Sequence, residues 1–370
     1  MSPNPYPSDL TITLTQTAPT YTSQKTVLFS TTNRFRYNGI WYNNTGYGFN
    51  AINGATSSQI NCATSYEIEF YMTGADVCIF AFNVAKSDYR VFVNDMPATM
   101  DWQQFPATGA PQYIKLNFAT PPYPRYNKIR VMMGMNGLAG ILLPGASDIW
   151  PAGPRPKMIV TGDSYVQGPG DSTPDGAVVA GNICGELAVR TGWEVLNMGQ
   201  GGTGYSNNAG AAGGASAFGS SARMTALGLL PAVDLMMVYG GGNDSFFGSW
   251  PMATSIANAN AMWTAMKAAR PTTPLIVVGV QAGTNLTGFV SADMNTYNAA
   301  LKAAALAHSG VTAFIDQRTS PWITGTGKQG TTVGDGNADL FICSDGVHPS
   351  HAGYGYLADR LVVELAAIRV

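Results

Sequence analysis

Charged side chains are scarce in this sequence: Asp, Glu, Lys and Arg together make up 11% of its 370 residues, where an ordinary soluble domain has about a quarter. The 20 basic residues are balanced by 22 acidic ones, for a net charge of −2, so there is no cationic footprint for a nucleic-acid backbone or an anionic bilayer. Neither nucleic acid nor a membrane is expected as a partner. Long apolar runs are missing too. None approaches the roughly 18 uninterrupted apolar residues that cross a bilayer, and residues 1–25 lack the basic start and apolar core of a secretory leader. The expected setting is extracellular or virion-associated, reached after trimming or by another route. The 4 cysteines, Cys62, Cys78, Cys184 and Cys343, are too sparse for a disulfide scaffold and contain no Cys-x-x-Cys pair for zinc. Buried thiols are expected instead.

What the chain does contain is apolar residues (45%), 43 Gly and 22 Pro. Its length exceeds what one hydrophobic core covers, about 250 to 300 residues, so two domains are expected. Residues 30–145 carry short runs with period-two alternation, at Tyr66–Met72, Val77–Val84, Tyr89–Val93, Tyr113–Phe118 and Lys128–Met133. Broken by Gly, Asn, Pro and Asp, these read as strands of an antiparallel sandwich or jelly roll. Residues 143–157 (LPGASDIWPAGPRPK) hold 4 prolines, which exclude a helix or a central strand and mark a linker. The expected organisation is an all-β sandwich, jelly-roll-like, over 1–145, a Pro-rich linker over 146–157, and a different domain over 158–370. There, strand patterns at Met158–Thr161, Glu194–Asn197, Asp234–Tyr239, Leu275–Val280 and Val311–Asp316 alternate with helical patterns near 176–190, 220–230, 252–269, 291–308 and 352–368. Five βα units in a row imply a parallel sheet covered by helices on both faces, with ligands bound beyond the carboxyl ends of the strands.

The segments after those strands are where chemistry is expected. The first strand is followed by Gly162-Asp163-Ser164, the second by Gly199-Gln200-Gly201-Gly202 and the third by Gly241-Gly242-Asn243-Asp244. Before the last helix stands Asp345-Gly346-Val347-His348. Only 3 histidines are available. His308 ends an Ala-rich helix, where a cation is a routine dipole partner, and His351 starts the final helix. His348, 3 residues after Asp345 in a Gly- and Pro-containing loop, is the candidate base, with the carboxylate orienting one ring nitrogen while the other faces a nucleophile. Ser164, at a tight turn between strand and helix, suits that nucleophile, since a serine hydroxyl at neutral pH needs such a base within reach.

Taken together, in this order and on successive strands, these pieces resemble the four sequence blocks of the SGNH (GDSL-type) hydrolases, over roughly residues 155–370. The resemblance implies a flavodoxin-like three-layer α/β/α domain with Ser164 as nucleophile, His348 as base and Asp345 as its partner. It further implies an oxyanion hole of three donors: the Ser164 N–H, the Gly202 N–H with Gly201 as near alternative, and the Asn243 side-chain amide. Acyl transfer needs such fixed donors aimed at the carbonyl oxygen that becomes negative. The Gly-x-Ser-x-Gly elbow of another hydrolase fold is missing, Val166 standing at its last glycine. His348 and His351 lack the helical spacing of a zinc pair, and Gly325-Thr326-Gly327-Lys328 lacks the spacing of a phosphate cradle. Neither metal nor cofactor is expected.

A β-rich domain ahead of the catalytic one resembles two-domain carbohydrate esterases and the deacetylases of phage tail proteins. The expected substrate is an acylated carbohydrate, from which acetyl or another small acyl group is removed. The alternatives are a glycan-binding adhesin or particle-assembly protein with a silent esterase domain, and a lipase or thioesterase. Tyr42 to Tyr47 and Trp102 are candidate sugar platforms, and Trp250 follows the Asn243 segment closely enough to line the mouth of the site.

Overall fold

The computed structural model describes residues 10–369 apart from 29–33, 39–40, 45–47, 52–64, 83–86, 100, 107–109, 120–125, 135–136, 169–180, 209–216, 230–231, 247–250, 281–290 and 332. They divide into two compact units, one ending at Pro154 and the other beginning at Arg155.

The first unit is a pair of antiparallel sheets. One runs Leu10–Thr15, Pro111–Phe118, Asp76–Phe82, Gly137–Leu143, Gly48–Ala51 and Trp41–Asn44, with Lys25–Leu28 also on Gly137–Leu143. The other runs Gln103–Phe105, Ser87–Val93, Asn127–Gly134, Ser65–Met72 and Ile149–Pro151, with Arg36–Asn38 on Ser65–Met72 and Met96–Pro97 on Ser87–Val93. Alternation decides which residues turn inward: Ile68, Phe70 and Met72 of one sheet share a core with Val77, Ile79 and Ala81 of the other, each at most 1% exposed. Burying a Phe, Ile or Met side chain in this way contributes roughly 1.5 to 3 kcal/mol. Four of the five predicted runs lie within these strands, and Val77–Val84 does so as far as Phe82, its last two residues lying outside the described ones. Leu10–Thr15 precedes the runs picked out as strands, and its Leu10, Ile12 and Leu14 pack partly buried on the core. The Pro-rich stretch is not all connection, because Ile149–Pro151 adds an edge strand to Ser65–Met72, a position where a missing N–H breaks no ladder.

Among the described residues of the second unit, parallel strands alternate with helices: β1 (Lys157–Gly162), α1 (Ser164–Gln167), α2 (Ile183–Thr191), β2 (Glu194–Gly199), α3 (Ser221–Leu229), β3 (Leu235–Tyr239), α4 (Gly242–Phe246), α5 (Met252–Ala269), β4 (Leu275–Val278), α6 (Ser291–Ala307), β5 (Ala313–Ile315), α7 (Ala338–Phe341) and α8 (His351–Ile368). The strand order is β2-β1-β3-β4-β5, all parallel, the flavodoxin-like arrangement that the resemblance implies. Strand residues are buried on both faces. Met158, Val160, Leu235 and Met237 join Ile183 and Leu187 of α2 and Leu357 and Leu361 of α8 in one core. Their neighbours Ile159, Met236 and Val238 are fully buried as well. The step from β1 to β2 runs opposite to every later step, so right-handed crossovers put α2 on one face and α3, α5 and α6 on the other. Each predicted strand and long helix is present, the predicted start of α2 falling among the undescribed residues 169–180. The short α1, α4 and α7 were not expected from periodicity. No described helix is long and apolar enough to cross a membrane.

The direction reversal at β1 opens a crevice beyond the carboxyl ends of β1 and β3, the usual ligand position in an open sheet. Ser164 follows β1 and Asn243 follows β3, so both stand at that crevice.

Candidate active site

The turn after β1 is built around a buried carboxylate. Asp163, fully buried, caps α1 by accepting the Tyr165 N–H on Oδ1 at 3.0 Å, and accepts the Gly241 N–H from the β3 loop on Oδ2 at 3.2 Å. A Cβ at Gly240 would lie 2.4 Å from that same Oδ2, and Gly240 has φ +116°, so only glycine lets the carboxylate reach across. Ser164 is thereby the first residue of α1. Its N–H has no partner among the described residues.

The loop before α8 brings the candidate base. With His348 Nδ1–H donating to Asp345 Oδ2 at 2.7 Å, Nε2 is left to accept the Ser164 hydroxyl proton across 2.8 Å. The other carboxylate oxygen, Asp345 Oδ1, accepts the Val347 N–H at 2.8 Å and the His348 N–H at 3.0 Å, so the four-residue turn is closed on itself. Tyr165 donates its hydroxyl to the Val347 carbonyl at 2.7 Å. Burial drives the Tyr165 phenol well above its ordinary pKa, so it stays a neutral donor. The His348 and Asp345 side chains keep 24% and 28% exposure, enough for a substrate to reach them.

Burial works to raise the Asp345 carboxyl, but hydrogen bonds from the His348 ring and from the Val347 and His348 backbone outweigh it and hold the group below the usual carboxylate range. The stability this carboxylate contributes is therefore complete above the unfolded Asp value, about 4, and is lost as pH falls through the lower folded value. Thermal melting of Asp345→Asn should accordingly fall short of the parent at neutral pH, with the gap closing on acidification. A gap of constant size from neutral to acid pH would contradict the coupling.

The loops after β2 and β3 supply donors. Gly202, at φ +70°, has an N–H with no partner among the described residues. The Gly201 N–H, by contrast, is taken up by Gln167 Oε1; Gly201 is therefore the poorer candidate. A Cβ at Gly201 would lie 3.8 Å from Ser164 Cβ, which puts this loop beside the Ser164 side chain. Asn243, in α4, donates one Nδ2 hydrogen to the Thr203 carbonyl at 2.9 Å, leaving the second N–H of the amide to donate elsewhere. The neighbouring Asp244 accepts the N–H groups of Tyr205, Ser206 and Asn207 at 2.7 to 3.0 Å and the Tyr297 hydroxyl at 2.9 Å. Burial raises this carboxyl despite those bonds. Asp244 thus fastens α4 to the loop after β2.

One residue behind the site was missed in the sequence. Arg223 of α3 is 2% exposed and donates to Gly162 O (2.9 Å), Thr161 Oγ1 (2.8 Å), Met198 O (2.5 Å) and Thr203 Oγ1 (3.2 Å). It clamps the ends of β1 and β2 at the roots of the Ser164 turn and the glycine loop. The available signal was a lone cation in the otherwise uncharged helix SARMTALGL, in a chain where charges are rare and are seldom buried without partners.

Ser164, His348 and Asp345 are brought into one hydrogen-bonded chain, with Gly202 and Asn243 linked through Thr203. Other candidates are not at this site. Trp102 is 7% exposed in the first unit, with the Arg90 guanidinium 5.9 Å from its ring centre, which corrects its reading as an open platform. His308 follows α6 and its ring bonds to Thr264 and the Gly310 N–H, while His351 opens α8. Cys78, Cys184 and Cys343 are buried. Cys62, Trp250 and the side chains of Tyr42 to Tyr47 lie outside the described residues.

Solved structures share this two-part architecture. A family two carbohydrate esterase from Clostridium thermocellum, in complex with cellohexaose, is 15% identical over 90% of this chain and 98% of its own, with a TM-score of 0.58. An acetyl xylan esterase from the rumen bacterium Butyrivibrio proteoclasticus is 11% identical over 94% and 98%, with a TM-score of 0.61. A salicylyl-acyltransferase from a tetracycline biosynthetic pathway is 13% identical over 94% and 98%, with a TM-score of 0.56. At such identities the likeness speaks to fold alone. No curated protein matches the chain by sequence. The model of the GDSL-like lipase/acylhydrolase family, however, matches residues 160–356, from within β1 into α8 and more than half of the chain. On that match, and with the fold the family implies, this protein belongs to the GDSL-like lipase/acylhydrolase family.

Proposed function

We propose that the protein is a serine esterase that removes acetyl or another small acyl group from a carbohydrate, through an acyl-serine intermediate and without a metal. The observation that carries the chemistry is the continuous chain from Ser164 Oγ to His348 Nε2 (2.8 Å) and from Nδ1 to Asp345 (2.7 Å). Ser164 Oγ attacks the ester carbonyl as its proton passes to His348 Nε2, and Asp345 stabilises the imidazolium that forms. The carbonyl oxygen, now negative, is received by the N–H groups of Ser164 and Gly202 and by the Asn243 amide. Collapse of the tetrahedral adduct breaks the bond to the sugar oxygen, which takes the proton from His348. Water then attacks the acyl-serine, giving a proton to His348; collapse of this second adduct breaks the bond to Ser164 Oγ, which takes that proton back as the acid is released.

Likeness to carbohydrate esterases over both units supports a sugar ester as substrate, as does a chain whose low charge suits a neutral glycan. The test is acetate release across a panel of O-acetylated polysaccharides, with Ser164→Ala as control. Release from at least one glycan is expected, together with failure on esters of acyl chains of about eight carbons or more. Preference for the long chains would turn the reading to a lipase. Glycan binding without any turnover would turn it to an adhesin.

A further inference from the structure

We infer that Gln167 is a positioning residue that selects which N–H of the glycine loop after β2 faces the reacting carbonyl. The inference rests on the acyl-serine reading and concerns the same site.

Gln167 lies one helical turn after Ser164, in a helix seated on the end of β2 without slack. The Val166 carbonyl accepts Asn197 Nδ2–H at 2.8 Å and the Gln167 carbonyl accepts Asn182 Nδ2–H at 3.1 Å. A Cβ at Gly199 would fall 2.1 Å from the Gln167 nitrogen. From this fixed base the Gln167 side chain reaches the loop, and its Oε1 accepts the Gly201 N–H. A Cβ at Gly201 would stand 2.6 Å from that oxygen, so the bare glycine makes the approach possible. On the other side, the Gly202 carbonyl accepts Asn207 Nδ2–H at 2.7 Å.

The peptide joining Gly201 to Gly202 therefore sits between two pinned neighbours. Its own N–H, that of Gly202, has no partner among the described residues. With the Gly201 N–H spent on Gln167, the loop has one N–H to offer and one orientation in which to offer it. A donor fixed before the reaction needs no reorganisation as the oxyanion forms, and a misplacement of about 1 Å can cost about 100-fold in rate. Glutamine is suited to this because its amide oxygen accepts without placing a negative charge near the developing oxyanion.

Two substitutions loosen the same anchor from opposite ends. Gln167→Met keeps the length and removes the acceptor. Gly201→Ala leaves Gln167 in place but drives the end of its side chain away. Either is expected to lower kcat by about 10- to 100-fold, with KM within about 3-fold and the pH midpoint of kcat/KM unchanged, because Ser164, His348 and Asp345 are untouched. The specific readout is the rate ratio between an oxo-ester and its thiono-ester, whose sulfur accepts hydrogen bonds poorly. A misaimed donor should shrink that ratio, whereas a general loss of folded enzyme leaves it as it was. Parental kcat and oxo-to-thiono ratio in either folded variant, with Ser164→Ala inactive, would overturn the role of Gln167 alone. A loss confined to KM, or an unchanged ratio, would do the same. Hydrolysis that persists in Ser164→Ala would overturn the acyl-serine reading itself.

Discussion

Ser164→Ala is expected to lower ester turnover by about 10⁴-fold or more, the scale on which triad residues act in unrelated serine hydrolases. The hydroxyl is the only group removed. Its hydrogen-bond partner is His348, while the Asp163 cap and the backbone bonds from Val166 and Gln167 that close α1 do not use it. Thermal melting should therefore stay close to that of the parent while initial rates on p-nitrophenyl acetate collapse. His348→Ala should lose a comparable factor. The double variant should lose little more, because nucleophile and base act in one step. A rate within about 10-fold of the parent in either single variant would contradict a nucleophilic role for Ser164 on this scale.

Asn243→Ala is the second large effect, expected at about 10² to 10³ in kcat, the loss measured for a single oxyanion donor in other systems. The amide is held by Thr203 O at 2.9 Å, and its helix is fastened through Asp244. The amide is thus held in place before a substrate arrives, and its loss is expected to fall on kcat with KM within about 3-fold. Asn243→Asp separates donation from bulk: the side chain is almost unchanged in size but offers an acceptor and a charge, so it should be no better than alanine. Near-parental rates in Asn243→Asp would show that the amide donates nothing to the reaction.

How much of this was legible depended on whether a residue's role is local in the chain. Strand and helix periods in the second unit announce themselves within a dozen residues, which is why β1 to β5 and the long helices lie where the pattern puts them. Ser164 and His348 stood out in the sequence because each falls in a turn at the end of an element, and histidine is scarce. Arg223 and Gln167 carry no such mark. Each matters through carbonyls and amides that arrive from other loops, and backbone groups look alike in any sequence. The choice between Gly201 and Gly202 was open for the same reason: two adjacent glycines differ only in what the fold sets against their N–H groups. In the first unit, Leu10–Thr15 gains its strand identity by pairing with Pro111–Phe118, a partner about a hundred residues away. Ile149–Pro151 shows the converse, since prolines that forbid a central strand leave an edge strand open.

The carboxylate and imidazole belong to one short turn, with bonds among Asp345, Val347 and His348 that travel with it wherever it goes. The bond from imidazole to hydroxyl instead spans 184 positions of chain. Carboxylate and imidazole are thus cast as a single part, and the serine hydroxyl as another. A shift of one part against the other would be felt at that bond and at the Tyr165 hydroxyl on the Val347 carbonyl, a second tie between them.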